Sequence, residues 1–222
     1  MAFKKYFTFS YDDGVKQDKR FIDILNHYGL RATFNLNFGL MPKEPDAADR
    51  CLALSEVNEI YKGHEIATHG LKHPHYRDMN YDEICADIRP DLENLTKLAG
   101  YPTTGHAYPY GEFSDTTVRA LRDCGIRYAR TTRSTHSFAL PEEPLTLHPT
   151  CHHGQKEIFT LIDEFINADP TESDLLFYVW GHTYEFDNGT EFNSWEHIEK
   201  VCRLISGKND IEYVTNMQFF DR

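Results

Sequence analysis

Two adjacent carboxylates, Asp12 and Asp13, follow an apolar and β-branched run at residues 7–11 and precede Gly14. Where a strand ends in a turn, neighbouring side chains can both lean over its tip. Two carboxylates this close repel each other unless one of them binds a cation or a proton. Asp-Asp-Gly is also an ordinary composition for a solvated turn. This stretch alone leaves both interpretations open.

Two histidines four residues apart, His69 and His73, are a second candidate for chemistry. On a helix or in a tight loop, both imidazole rings can reach one ion. Two imidazoles and one carboxylate leave a divalent metal open to water and substrate. The chain contains twelve histidines, so this spacing is a weak signal by itself. Other chemistry-bearing residues follow predicted strands, namely residues 108–111, the histidines at 148–153, and His182.

The elements that must position these residues alternate along the chain as strand, helix and glycine. We predict strands at 7–11, 32–38, 64–68, 126–131, 145–151, 175–180 and 211–214, and helices at 16–28, 54–62, 80–99, 115–124, 155–168 and 195–206. Five glycines stand where a left-handed C-cap would end a helix, at positions 29, 63, 100, 125 and 207. This alternation favours a parallel sheet covered by helices, and seven or eight strands favour a closed barrel. In such a barrel, functional residues gather at the carboxyl ends of the strands.

Length and composition limit the class of protein. The 222 residues, 40% of them hydrophobic, fit one domain over residues 1–222. A net charge of -12 argues against nucleic acid, an anionic membrane or a polyanionic substrate as partner. Five cysteines without a C-x-x-C pair suggest a reducing compartment. With no apolar run of membrane-spanning length and no signal peptide before the first strand, we expect a cytoplasmic protein.

Four motifs resemble, in order and spacing, those of the polysaccharide deacetylase family, the NodB-homology group or carbohydrate esterase family 4. They are Ser-Tyr-Asp-Asp-Gly at 10–14, His-Gly-Leu-Lys-His at 69–73, Tyr-Pro-Tyr-Gly at 108–111 and Trp-Gly-His at 180–182. Four motifs in order are far more specific than any one of them. The resemblance implies an α/β fold, the TIM-like distorted (β/α) barrel of the family. It further implies that Asp13, His69 and His73 bind a divalent metal, most often zinc.

The same resemblance assigns the catalytic roles. Asp12 would be the general base, His182 the general acid, and the backbone N–H of Tyr110 would help to hold the oxyanion. This assignment is chemically coherent, because amide hydrolysis needs an activated water and a protonated leaving amine. Three aromatic residues are candidates for stacking on a sugar ring or for simple packing, namely Trp180, Tyr184 and Trp195.

One departure from the family pattern concerns the base. The family usually has an arginine two residues before the proline of the third motif, where it pairs with the catalytic aspartate. Here that position is Ala107. Without a cationic neighbour, the pKa of Asp12 is expected to be higher than in typical members. Arg130, Arg133 or His106 could substitute, and the sequence does not choose among them.

Residues outside the motifs receive less specific interpretations. His148, His152 and His153 stand at a predicted strand end and could line the cleft. Glu185 and Asp187 follow the acid histidine and are interpreted as solvated loop residues.

The leading hypothesis is a metal-dependent hydrolase that removes an acetyl group from an N- or O-acetylated sugar or oligosaccharide. A first alternative is a cyclic-amide hydrolase of the allantoinase-like branch, which typically departs from the deacetylase pattern at the metal ligands. A second alternative is an inactive carbohydrate-binding relative, which only Ala107 supports. The expected partner is a small acetylated carbohydrate.

Overall fold

A computed structural model describes residues 3–222 of the chain. Within these residues, eight strands form one parallel sheet in the order β5-β4-β3-β2-β1-β7-β6, with β8 also paired to β1. The strands are β1 (Lys5–Asp12), β2 (Ala32–Leu36), β3 (Glu65–Thr68), β4 (Gly105–Ala107), β5 (Tyr128–Arg130), β6 (Cys151–His152), β7 (Leu175–Gly181) and β8 (Ile211–Tyr213). The predicted α/β class and strand number are confirmed.

The sheet curls until its two edges approach each other. Leu147 donates its N–H to Ala129 on β5 at 2.9 Å and accepts the N–H of Thr131 at 2.9 Å. Three residues later, Thr150 donates its N–H to Tyr178 on β7 at 2.8 Å. The segment at 147–150 therefore connects the two sides of the sheet, which gives the predicted distorted barrel.

The predicted strand at 145–151 is wrong in extent. A 3-10 turn occupies Pro144–Thr146, and only β6 remains as a strand. Pro144 has no backbone N–H to donate to a ladder, so the apolar pattern that follows it cannot become a regular strand at that point.

Seven helices lie within residues 3–222: α1 (Asp18–His27), α2 (Val57–Ile60), α3 (Tyr81–Ala99), α4 (Asp115–Asp123), α5 (Ile158–Asn167), α6 (Trp195–Ile205) and α7 (Asn216–Phe220). The first six fall inside the predicted ranges. A capping box begins α3, because Asn80 accepts two backbone N–H groups and the Glu83 side chain accepts the Asn80 N–H. The helix continues through Pro90 to its left-handed cap at Gly100. Helix α7 was not predicted.

The core lies between the sheet and the helices that cover it. Strand β1 is buried along its whole length, and Phe9 packs edge-on against Phe21 of α1, with ring centroids 5.6 Å apart. On the neighbouring strand, Phe177 packs edge-on against Phe7 at 5.4 Å. Full burial of such a side chain contributes about 1.5–3 kcal/mol, so this packing fixes β1 against α1 and against β7.

Because the strands are parallel, their carboxyl ends meet at one end of the barrel. Asp12, His69, Ala107, Arg130 and His182 all lie at or directly after such ends. No helix within residues 3–222 combines the length and apolarity that crossing a membrane requires.

Candidate active site

A cleft of about 570 Å³ opens at the carboxyl end of the barrel. It is lined by all seven residues that the sequence assigned to the site, namely Asp12, Asp13, His69, His73, Tyr110, Trp180 and His182. Leu40, Arg50, Thr132 and Tyr184 line it as well. Its volume is within the range of small-molecule sites.

Asp13, His69 and His73 place three potential ligand atoms together. The Oδ1 atom of Asp13 is 3.8 Å from Nε2 of His69 and 3.9 Å from Nε2 of His73. These distances are too long for hydrogen bonds. Two ligands bound to zinc at about 2.1 Å each lie at most about 4.2 Å apart, so the spacing suits a shared ion.

The hydrogen-bond partner of His69 determines which of its two ring nitrogens carries the proton. Nδ1 of His69 lies 2.8 Å from the carbonyl oxygen of Ala107, which can only accept, so Nδ1 carries the proton. Nε2 then presents a lone pair toward Asp13, and this buried atom has no hydrogen-bond partner within residues 3–222. A buried lone pair without a partner is costly, and a metal ion would satisfy it. The residues present therefore fit a divalent metal.

Backbone strain is concentrated at the same place. Asp13, His73 and Tyr110 have φ values of 80°, 55° and 58°, in the left-handed region that non-glycine residues rarely adopt. His136 is the only other non-glycine residue of this kind within residues 3–222. Such strain costs on the order of 1–3 kcal/mol per residue and persists where the surroundings hold it, often at functional sites.

Arg130 supplies the cation that the third motif lacks. Its Nη2 atom lies 2.5 Å from both carboxylate oxygens of Asp12. Ala107 on β4 and Arg130 on β5 are directly paired in the sheet register, so the arginine stands one strand across from the family position. Arg133 is exposed, and His106 bonds Thr68 instead. Of the three substitutes that the sequence left open, Arg130 is therefore the one that contacts Asp12.

The electrostatics of Asp12 follow from this pairing. Burial alone would raise the pKa of Asp12, but the Arg130 guanidinium, and then His69 and His182, hold it well below its ordinary range. Asn35 on β2 also donates to Oδ1 of Asp12 at 2.8 Å. The carboxylate is therefore ionised and held in one orientation. The condition for the expected rise in its pKa, a missing cationic neighbour, is not met.

The three aromatic residues considered for stacking on a sugar ring occupy different positions relative to the cleft. One face of Trp180 is covered by the Arg130 guanidinium, whose Cζ lies 4.7 Å from the ring centroid. Tyr184 lines the cleft beneath Arg50, also at 4.7 Å. Trp195 packs under Arg20 at 4.2 Å and is not among the residues that line the cleft.

His182 faces Asp12 across the cleft. Its Nε2 atom lies 3.9 Å from Oδ2 of Asp12, and its Nδ1 atom lies 3.1 Å from Oε1 of Glu185. Glu185 is only 19% exposed, so its interpretation as a solvated residue is wrong. Asp187 is exposed, as predicted, and accepts the indole N–H of Trp195 at 2.8 Å.

The three histidines at 148–153 lie outside the cleft lining. His148 contacts the hydroxyl of Thr131 at 2.6 Å. His152 and His153 approach Glu185 at 3.0 and 3.1 Å. A Cβ atom at residue 181 would overlap Nδ1 of His153, which explains the glycine between Trp180 and His182.

A family model described as "Polysaccharide deacetylase" matches residues 2–129, more than half of the chain. The chain belongs to the polysaccharide deacetylase family. The matched residues include Asp12, Asp13, His69, His73 and Tyr110. Arg130, Trp180 and His182 lie beyond the match. The comparison with curated proteins found no match.

Solved structures of polysaccharide deacetylases share the fold. A deacetylase of Streptococcus pyogenes, PplD, in complex with acetate is 24% identical, with a TM-score of 0.56, and the alignment covers 63% of this chain and 61% of that one. A candidate polysaccharide deacetylase of Mycobacterium smegmatis is 15% identical, with a TM-score of 0.69 and coverage of 100% and 90%. A family 4 acetyl xylan esterase of Clostridium thermocellum in complex with a cobalt ion is 16% identical, with a TM-score of 0.63 and coverage of 97% and 90%. The chain thus spans less than two thirds of the Streptococcus protein.

Proposed function

We propose that this chain is a metal-dependent hydrolase that removes acetyl groups from an acetylated carbohydrate, and that its preferred bond is the N-acetyl amide. The observation that carries this proposal is the cluster of Asp13, His69 and His73, in which a buried Nε2 lone pair lies beside the ionised Asp12. Family membership supports the acetylated carbohydrate as substrate class.

The donor set suits zinc or a similar divalent ion, held by Oδ1 of Asp13 and Nε2 of His69 and His73. Such an ion, when bound, lowers the pKa of a water molecule and polarises the acetyl carbonyl. The acetyl xylan esterase with a cobalt ion shows that a relative with this fold holds a metal.

The residues of the chain perform the proton transfers. Asp12 accepts a proton from the water molecule whose oxygen attacks the acetyl carbonyl carbon. Arg130 keeps the Asp12 carboxylate ionised and oriented for this step. His182 donates a proton from Nε2 to the leaving nitrogen as the C–N bond breaks and its electron pair moves to that nitrogen. We assign the Tyr110 backbone N–H to the carbonyl oxygen, as the motif implies.

The cleft suits a sugar ring bearing its acetyl group. Tyr110 is 53% exposed at the rim, and its ring stacks on His75 with centroids 3.8 Å apart, so one face of the tyrosine ring is covered by the imidazole. Trp180 and Tyr184 line the same cleft. Aromatic faces of this kind suit the apolar faces of sugars. The net charge of -12 disfavours a polyanionic chain.

The inactive carbohydrate-binding alternative loses its one supporting feature. Ala107 suggested an incomplete catalytic centre, but Arg130 pairs with Asp12 from the adjacent strand. Altered metal-ligand residues would favour the cyclic-amide hydrolase. Here Asp13, His69 and His73 are all present and converge in one cleft, which favours the deacetylase.

Acetate release from a panel of substrates tests the proposal. The panel contains N-acetylglucosamine, its short oligomers, an O-acetylated xyloside and the cyclic amide hydantoin. The wild-type protein is expected to release acetate from at least one sugar, and Asp12→Asn and His182→Ala are expected to lose about 100-fold or more in turnover. Ring opening of hydantoin without acetate release would favour the cyclic-amide hydrolase instead, and near wild-type turnover in both variants would contradict the assigned roles.

A further inference from the structure

A carboxylate beside the cleft is surrounded by three imidazole rings. Oε1 of Glu185 lies 3.1 Å from Nδ1 of His182, and Oε2 lies 3.0 Å from Nε2 of His152 and 3.1 Å from Nε2 of His153. The side chain of His153 is fully buried, and those of His152, His182 and Glu185 are about one-fifth exposed. Nothing in the four motifs requires this arrangement.

The neighbours of His152 and His153 determine which ring nitrogens carry protons. The backbone N–H of Gly154 donates to Nδ1 of His152 at 3.0 Å, so the neutral ring carries its proton on Nε2, facing Glu185. For His153, Nε2 lies 3.1 Å from Oδ1 of Asn193 as well as near Glu185. The amide oxygen of Asn193 accepts the proton on this nitrogen, and Nδ1 then accepts from the Tyr11 hydroxyl at 3.1 Å.

These tautomers distinguish the cluster from a second metal site. His152, His182 and Glu185 lie close enough to share an ion. However, Nε2 of His152 already carries a proton and has no lone pair for a metal. The contact of 3.1 Å between Nδ1 of His182 and Oε1 of Glu185 also has the length of a hydrogen bond, whereas the ligand atoms around Asp13 are 3.8 and 3.9 Å apart.

The surrounding imidazoles keep Glu185 charged. Burial would raise the pKa of Glu185, but the contacts from His152, His153 and His182 hold it well below its ordinary range. His152 and His153 lie close to Oε2 of Glu185 without a hydrogen bond to it, and Oε1 accepts from Nδ1 of His182. His153 is itself anchored to Tyr11 and Asn193, so the carboxylate lies against a fixed ring.

We propose that Glu185 is the positioning residue of the general acid. It holds the Nδ1–H of His182, so that Nε2 points into the cleft, and it stabilises the imidazolium that must donate the proton. After Nε2 gives its proton to the leaving nitrogen, the neutral imidazole keeps its Nδ1–H on Glu185. The carboxylate is not itself protonated, and the arrangement parallels the role of the acid in a Ser-His-Asp triad. This inference rests on the proposed function of His182.

The kinetic test compares two leaving groups. We expect Glu185→Gln to lose about 100-fold in kcat on an N-acetyl sugar, with KM little changed, because a poor amine leaving group needs the proton. On 4-nitrophenyl acetate the loss should be much smaller, because 4-nitrophenolate departs without general-acid help. Glu185→Asp, which retains the charge, should recover part of the amide activity. Asp187→Asn is the matched control in the same loop and should leave both rates near wild type.

A spectroscopic readout tests the contact independently of activity. The ring N–H proton of His182, identified by its loss in His182→Ala, should give a protected NMR signal in the wild-type protein. That signal should be lost or shifted in Glu185→Gln and unchanged in Asp187→Asn.

The outcomes separate this inference from the proposed function. Equal losses on both substrates, or an unchanged His182 signal in Glu185→Gln, would overturn the positioning role of Glu185. If the wild-type protein hydrolysed neither substrate, the proposed function would fail and the positioning of an acid would fall with it, even where the NMR signal confirmed the contact itself.

Discussion

At the scale of single residues, Arg130 on β5 supplies Asp12 with the guanidinium that the family pattern places at the position of Ala107. Asp12 and Arg130 are 118 positions apart in the chain and in direct contact in the fold. Arg130 occupies the position on β5 that is in register with Ala107 on β4. A guanidinium can therefore reach the same carboxylate from either strand.

Replacing Arg130 tests whether this residue of β5 stabilises the buried carboxylate of Asp12. Arg130→Met leaves the buried carboxylate of Asp12 without its cation, so the free energy of unfolding is expected to fall by about 3 kcal/mol, measured by urea denaturation. Adding Asp12→Asn to Arg130→Met removes the uncompensated charge and is expected to restore at least about 1 kcal/mol.

The control for this prediction is Arg133, an exposed arginine three residues away. Arg133→Met is expected to change the free energy of unfolding by less than about 0.5 kcal/mol. Equal effects of the two substitutions, or a double variant no more stable than Arg130→Met, would contradict a structural pair between Asp12 and Arg130.

The residues of the site differ in how far the sequence could predict them. Asp13, His69 and His73 lie inside short local motifs, and the fold brings them into one cleft. Arg130 was one of three alternatives, because its choice depends on the register between β4 and β5, which no local pattern reports. Glu185 was interpreted as solvated, because its burial depends on His152 and His153, contributed from β6 and the residue after it.

At the scale of elements, helix α3 holds the loop that carries the two histidines. Oδ2 of Asp87 accepts the N–H of Leu71 at 3.1 Å and the hydroxyl of Tyr76 at 3.0 Å. These bonds lie on either side of His73 and fix the loop conformation in which its φ is positive. The helix thus positions the loop without contributing to the cleft lining.

Substituting Asp87 should weaken metal binding from a distance. Asp87→Ala is expected to reduce the affinity for Zn²⁺ by about 10- to 100-fold, as found when groups that orient metal ligands are removed, measured by calorimetric titration of the chelator-treated protein. Glu93→Ala, at an exposed position of the same helix, is the control and should bind Zn²⁺ like the wild type. Unchanged affinity in Asp87→Ala would contradict the positioning role of α3.

The elements themselves were largely predictable from local signals. The capping box at Asn80 and the left-handed glycine at 100 delimit α3 in both sequence and structure. The failure at 145–151 has a different origin, because Pro144 starts a 3-10 turn and the extended chain after it pairs with two different strands. Pairing of that kind depends on barrel closure and leaves no periodic signal.

At the scale of the whole molecule, the parallel sheet separates the site from the opposite end of the barrel. His64 precedes β3 at that opposite end, where its Nδ1 accepts the N–H of Ala32 at 3.2 Å. Burial, with a smaller contribution from Arg31, lowers the pKa of His64 to about 4. The unfolded chain, with a His pKa of about 6.5, therefore binds this proton more tightly than the folded chain.

The free energy of unfolding should therefore depend on pH through the difference between the folded and unfolded pKa of His64. The contribution of neutral His64 is fully present above about pH 6.5 and is lost as the pH falls through about 4. Relative to His64→Asn, which keeps an acceptor for Ala32, the wild-type free energy of unfolding should fall by about 2 kcal/mol between about pH 7 and about pH 5. His27→Asn, on the exposed face of α1, is the control. Parallel pH profiles for wild type and His64→Asn would contradict the prediction.

One divalent ion at Asp13, His69 and His73 is proposed to enable deacetylation. The most direct measurement is the rate of acetate release from an N-acetyl sugar by chelator-treated protein, as Zn²⁺ or Co²⁺ is added back. The rate is expected to rise from near zero to a plateau at an equimolar amount of metal in the wild type, and to stay near zero in His69→Ala. A chelator-treated protein that retained its full rate, or a His69→Ala variant restored by the same amount of metal, would contradict the account.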